Sequence, residues 1–132
     1  MLVVDASCLC EVLIGAPAAE AIRARLASDS EHAAPHVVDA EVFGVIRREH
    51  LLGRLDRTEA TQAVDDLAAW PGERFGHRPL LARAWELRTT VRGWDAMYVA
   101  LAEALDATLV TTDRRLASAV GPSCPIEVVD DH

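Results

Sequence analysis

The stretch Trp94 to Arg115, WDAMYVALAEALDATLVTTDRR, decides how the chain is read. Asp95 opens a short amphipathic helix. After Asp106 and Thr108, an apolar pair, Leu109 and Val110, runs into Thr111, Thr112 and Asp113. A helix and a buried strand are therefore joined by almost nothing. Met97, Leu101 and Leu105 recur at helical spacing and are expected to face a core, with Asp95, Tyr98 and Ala102 on a neighbouring face. Ligands of open α/β sheets gather outside the carboxyl ends of the strands, which places Asp113 on the functional edge. Asp95, at a helix start, points toward the same region.

Working outward, Leu2, Val3 and Val4 read as a buried first strand that ends in Asp5, Ala6 and Ser7. Asp5 has an ordinary structural alternative there, because Asp and Ser both cap helices well. Cys8 to Leu13 continue as a helix, Gly15 to Pro17 break it, and Ala18 to Ala27 form a second helix with Ile22 and Leu26 inward. A short extended stretch from Ala33 to Val38 leads into a helix from Asp39 to Leu52. Glu41 falls in its first turn, where the helix dipole favours an acid by about 0.3–1 kcal/mol. Val42, Val45, Ile46 and Leu52 carry its core side, and Arg47, Arg48 and Arg54 form a basic rim.

The remainder alternates in the same way. Asp56 to Ala69 is a helix stopped by Trp70, Pro71 and Gly72. Glu73 to Gly76 holds a short third strand, and Leu80 to Val91 a helix on which Leu81, Ala84, Trp85 and Arg88 repeat at helical spacing. Trp85 is read as core or subunit contact. A last short helix runs from Arg114 to Val120 and a final strand from Ile126 to Val129. Short apolar strands alternating with helices indicate a central parallel sheet of four to five strands covered on both faces, in one domain spanning residues 1–132.

Composition narrows the function. The chain is 51% hydrophobic, as a folded protein is, and no apolar run approaches the roughly 20 residues of a membrane helix. The opening MLVVDAS turns acidic too soon for a signal peptide, so a cytoplasmic location is expected. Cys8, Cys10 and Cys124 are an odd count without zinc spacing and read as small buried residues. His32, His36, His50, His77 and His132 show no ligand spacing and read as surface or loop residues. The net charge of −8 argues against binding nucleic acid through a bulk positive field, but not against a nuclease whose bound cations reverse the local sign. All 13 basic residues are arginine. The absence of lysine excludes P-loop and Schiff-base chemistry.

Four acids occupy one kind of place: Asp5 and Asp113 after strands, Glu41 and Asp95 at helix starts. The switch point of a doubly wound sheet brings the loops after the first and fourth strands together. Carboxylates so gathered repel by about 4 kcal/mol per pair at about 4 Å and an effective dielectric near 20. Protons or cations must relieve that repulsion. All-oxygen ligands select Mg²⁺ or Mn²⁺, which activate water and stabilise a departing oxygen, as in phosphodiester hydrolysis. Ser7 and Thr111 are the neighbouring hydroxyls, and Arg114 and Arg115 are candidate phosphate contacts, with a solvated helix face as their alternative.

These residues resemble a PIN-domain ribonuclease of the VapC toxin type, found in type II toxin–antitoxin pairs. The likeness lies in the opening LVVDAS, in VVDAEVFGVIRR, and in WDAMYVALAEAL followed by TLVTTDRRLA. It implies a three-layer α/β/α sandwich. It also implies Mg²⁺-dependent endonucleolytic cleavage of RNA, with Mn²⁺ able to substitute. Asp5, Glu41, Asp95 and Asp113 match the family's four acids, as catalytic residues and metal ligands, and Ser7 and Thr111 match its hydroxyls. It further implies a cognate VapB-type antitoxin that silences the active-site groove, a homodimer, and a higher assembly with the antitoxin. Trp94 precedes Asp95 where the family varies, and could narrow the groove or stack a base.

Two other readings meet obstacles. A phosphoacceptor signalling domain needs a lysine on a late strand, and an aspartyl-phosphate hydrolase needs two acids one residue apart after the first strand. A catalytically silent PIN-like module, acting only through a DNA-binding antitoxin, is the alternative from another class. Metal binding separates it from the enzyme.

Overall fold

The computed structural model describes residues 1–130; His132, read as a surface residue, lies outside them. Five strands form one sheet in the order β3-β2-β1-β4-β5, every pair parallel: β1 (Leu2–Val4), β2 (His32–Pro35), β3 (Glu73–Phe75), β4 (Thr108–Thr111) and β5 (Ile126–Val128). The central strand is Leu-Val-Val because it is covered on both faces; Val3 and Val4 are wholly buried. Its register against β4, Val4 opposite Val110, sets the ends of these two strands side by side. Asp5 continues the pairing, donating its N–H to the Val110 carbonyl. The switch point expected between the first and fourth strands is there.

Seven α-helices flank the sheet among the described residues, making the α/β/α sandwich. They are α1 (Ala6–Ile14), α2 (Ala19–Ala27), α3 (Val37–Leu51), α4 (Arg57–Ala69), α5 (Leu81–Glu86), α6 (Asp95–Ala104) and α7 (Arg114–Ala117), with a 3₁₀ turn at Arg78–Leu80. Helix α1 packs on α2, α3 and α4, and α5 packs on α6, which lies against β1, β2 and β4. Helix α4 is held at its start by a reciprocal pair of bonds between Asp56 and Glu59. Gly15, at φ 70°, supplies the left-handed residue that ends α1. Asp106 takes φ 52° in the three-residue link from α6 to β4, a conformation that Asp tolerates better than most residues.

Several boundaries differ from the sequence reading. Helix α3 begins at Val37 rather than Asp39 because the N–H of Val37 has an acceptor, Nε2 of His77, at 3.0 Å. Glu41 therefore sits in the second turn of α3, and the helix-dipole explanation for its acid does not hold. Helix α5 ends at Glu86, well before Val91, as the β-branched run Thr89, Thr90 and Val91 approaches. On α6 the inward face is broader than the Met97-Leu101-Leu105 row. Tyr98 and Ala102 are wholly buried, as is Leu101 almost completely, while Met97 and Leu105 pack at the margin of the core. Trp85 is not core: it is 67% exposed, with the Arg88 guanidinium 4.3 Å over its ring. Leu52 is likewise exposed at the end of α3. No helix among the described residues is long and apolar enough to cross a membrane.

Candidate active site

Asp5 leaves β1 at the switch point and is 6% exposed. Although it stands at the N-cap of α1, its side chain makes no capping bond. Its Oδ2 instead accepts two hydroxyls, from Ser7 at 2.8 Å and from Thr111 at 2.6 Å. The capping alternative for Asp5 is thereby set aside. Each hydroxyl is tied in turn to the loop after β4: Ser7 Oγ accepts the N–H of Thr112, and Thr111 Oγ1 accepts that of Asp113, both at 3.1 Å. Two hydroxyls thus lock the ends of β1 and β4 around one carboxylate. Burial raises the Asp5 pKa, the two hydroxyl bonds pull it back, and the Asp113 charge pushes it up.

The other acids surround this pair. Glu41, on α3, accepts the Tyr98 hydroxyl at 2.8 Å. Tyr98 is wholly buried on α6, so the bond ties α3 to α6. Burial raises the Glu41 pKa, the Tyr98 bond opposes this, and the charges of Asp5 and Asp95 add to the rise. Asp95, the first residue of α6, is half-buried, and its pKa climbs to about 6. Burial is the largest cause, followed by Asp5 and Asp113, with Arg92 and Arg115 opposing. Asp113 has a structural role as well: its Oδ1 accepts the N–H of Arg115 at 2.8 Å, capping α7.

The four acids therefore meet electrostatically at one edge of the sheet. Among the described residues, however, no three Asp, Glu, His or Cys side chains stand close enough together to hold a metal ion. A closed ligand shell made by Asp5, Glu41, Asp95 and Asp113 together is not formed. The donor chemistry nevertheless fits a hard cation, being all carboxylate and hydroxyl oxygen, and a cation would offset the burial and, after it, the repulsion that raise three of these pKa values.

Two openings border the acids. A groove of about 600 Å³ between α1 and α3 is lined by Ser7, Glu11, Glu41, Arg48, Glu49 and Thr112. Glu11 was not singled out in the sequence, yet one of its carboxylate oxygens is buried here with no hydrogen-bond partner among the described residues. On the other side is a cleft of about 70 Å³ beside Asp95 and Asp113, bordered by Arg92 and Arg115. Arg114 is paired with Asp130, whereas Arg115 is 80% exposed with its Nε 3.8 Å from Asp113. Trp94 lines neither opening and is 61% exposed. The cysteines are free. Cys8 and Cys10 are buried, with burial pushing the Cys10 thiol to about 12, so neither is a poised nucleophile.

The parallel sheet carries hydroxyl-clamped acids at its switch point, and the family model described as PIN domain matches residues 2–121. The chain is 41% identical to Ribonuclease VapC1 of Mycobacterium tuberculosis over 128 residues, which is 96% of each chain. It is 37% identical to Ribonuclease VapC12 of the same organism over 129 residues, 98% of this chain and 99% of the other. The crystal structure of VapBC2 from Rickettsia felis, bound to a DNA fragment from its promoter, aligns with a TM-score of 0.71 at 18% identity, covering 98% of each chain. The chain belongs to the PIN-domain family and, within it, to the VapC ribonucleases. It is a ribonuclease of that family.

Proposed function

We propose that the chain hydrolyses RNA phosphodiester bonds with Mg²⁺, or Mn²⁺ in its place, held by Asp5, Glu41, Asp95 and Asp113. The observation that carries this reading is the Asp5 carboxylate, buried and fixed by Ser7 and Thr111; its charge acts on Glu41 and Asp95, and its own pKa is pushed up by Asp113. When bound, the cation supplies an activated water and charge stabilisation at the leaving oxygen. The chain's own part is orientation. Thr111 and Ser7 orient Asp5 and oppose the cost of its burial, and Tyr98 does the same for Glu41. Solved structures of the same fold include VapBC2 of Rickettsia felis and a toxin–antitoxin complex from Klebsiella pneumoniae. This supports a VapB-type antitoxin as the partner that silences the site in the cytoplasm. The exposed Leu81 and Trp85 on α5 support a homodimer through that face.

The test is cleavage of a total small-RNA pool by the purified chain with Mg²⁺ or Mn²⁺, beside EDTA and beside Asp5→Asn. Discrete fragments that disappear in both controls are expected. Fragments that persist in EDTA, or in the variant, would overturn the metal-dependent assignment.

A further inference from the structure

Glu41 lines one opening and Asp95 and Asp113 line another of unequal size, and the smaller one has a distinct chemistry. The cleft of about 70 Å³ is lined by Thr90, Arg92, Asp95, Asp113 and Arg115, a space on the scale of one phosphate group and far below that of a nucleoside. Its two guanidiniums face its two carboxylates without neutralising them closely. Arg115 stands 3.8 Å from Asp113, at the limit of an ion pair. The Arg92 side chain makes no hydrogen bond or ion pair among the described residues, although it lines the same cleft as Asp95. Had Arg92 served only to balance Asp95, burial and repulsion at Asp95 would favour direct contact between them. An uncommitted guanidinium at the rim of an acid cluster, in a chain of net charge −8, is placed instead for an anion that arrives with the substrate.

We propose that this cleft is a single-phosphate subsite of the RNA-binding surface, in which Arg92, assisted by Arg115, holds a backbone phosphate next to the acids without regard to base identity. The proposal rests on the ribonuclease reading and adds Arg92 to it as a positioning residue. The wide α1–α3 groove, lined by Glu41, is large enough for a nucleotide. A phosphate fixed in the narrow cleft therefore sets which linkage lies beside Asp95 and Asp113.

The experiment uses the full chain carrying Asp5→Asn, with fluorescein-labelled oligouridine and oligocytidine as probes, titrated in Mg²⁺ buffer over a range of salt. Arg92→Gln is compared with this background and with Arg23→Gln, which removes an exposed arginine on α2. Loss of one phosphate contact on a single strand lowers the slope of log K against log salt by about 0.7. It also weakens both probes to the same extent. Arg23→Gln is expected to change neither quantity. An unchanged slope and affinity in Arg92→Gln would overturn the subsite and leave the ribonuclease reading standing. Weakening of one probe alone would make Arg92 a base contact and overturn the phosphate assignment. A background chain that binds neither oligonucleotide would likewise overturn a base-independent phosphate subsite, while cleavage of the small-RNA pool by the parent chain decides the ribonuclease reading separately.

Discussion

Replacing Asp95 with Asn should make the metal-free protein more stable while abolishing cleavage. Asp95 rises from the ordinary aspartate value of 3.8 to about 6, through burial first and then repulsion from Asp5 and Asp113. Each tenfold change in proton affinity corresponds to about 1.4 kcal/mol, so the full rise corresponds to about 3 kcal/mol. Asp95 is only half-buried, and solvent screening reduces the penalty to about 1–2 kcal/mol. Its position at the start of α6 is favourable by about 0.3–1 kcal/mol, which is too little to reverse the sign. A carboxyl with a raised folded pKa binds its proton more tightly in the native state than in the unfolded chain. Stability is therefore lost as pH rises from about 4 to about 6, and stays lost above that. Asn carries no such penalty. In EDTA at about pH 7.5, Asp95→Asn should melt about 4–8 °C above the parent. The gap should close as pH falls toward about 4. Saturating Mg²⁺ should raise the parent more than the variant, because only the parent retains the full set of acids. Thermal melts across this range decide it. A variant no more stable than the parent at about pH 7.5 in EDTA would refute the argument, and so would a gap that widens on acidification.

Three further perturbations test separate parts of the structure. Thr111→Val removes the hydroxyl that donates to Asp5 at 2.6 Å while keeping its shape, at a cost of about 1.5–3 kcal/mol. With that bond gone, Asp5 titrates higher still, and the acid limb of the pH–rate profile should move to higher pH; an unmoved limb would show that Asp5 does not control it. Arg74→Ala should destabilise by about 2–4 kcal/mol in urea melts. Arg74 joins the end of α4 to β3 by donating to the carbonyls of Leu67, Trp70 and Gly72, pairs with Asp39, and stacks on Trp70 at 4.8 Å. Trp85→Glu should yield a monomer by light scattering at micromolar concentration, if the exposed α5 face joins two copies; a dimer that survives the charge would move the interface elsewhere.

What could be read from the sequence followed from local rules, and what could not came from contacts across the chain. Asp5 and Asp113 were legible because a short apolar strand in a parallel sheet delivers its next residues to one edge, and the structure sets both there. The start of α3 was not legible, because its first N–H is satisfied by His77, 40 residues further on, a histidine read as surface or loop. Glu41 was found for an incomplete reason. Its place near a helix start suggested the dipole, whereas its actual partner is Tyr98, 57 residues away. Tyr98 could have been noticed as the only tyrosine in the chain, three residues after Asp95 on α6. Arg92 and Glu11 gave no local signal. Each becomes prominent only once the fold lays it against an opening beside the acids.

The way the four carboxylates are supported divides the site unequally. Asp5 has two hydroxyl donors, Glu41 has the Tyr98 hydroxyl, and Asp113 has the Arg115 N–H, so three of the acids are oriented by the chain itself. The Asp95 carboxylate has no hydrogen bond or ion pair among the described residues, and Arg92 and Arg115 offset its burial only from a distance. Asp95 thus bears its electrostatic cost with no hydrogen bond of its own to offset it, in the lining of the narrow cleft. A group so placed gains most from whatever positive charge enters the site. Asp95 should consequently be the acid whose ionisation responds most strongly to Mg²⁺, while the pre-oriented Asp5 changes least. Titration shifts of the two carboxyls, measured with and without the ion by carbon-detected NMR, would show whether the chain leaves this acid for the cation to satisfy.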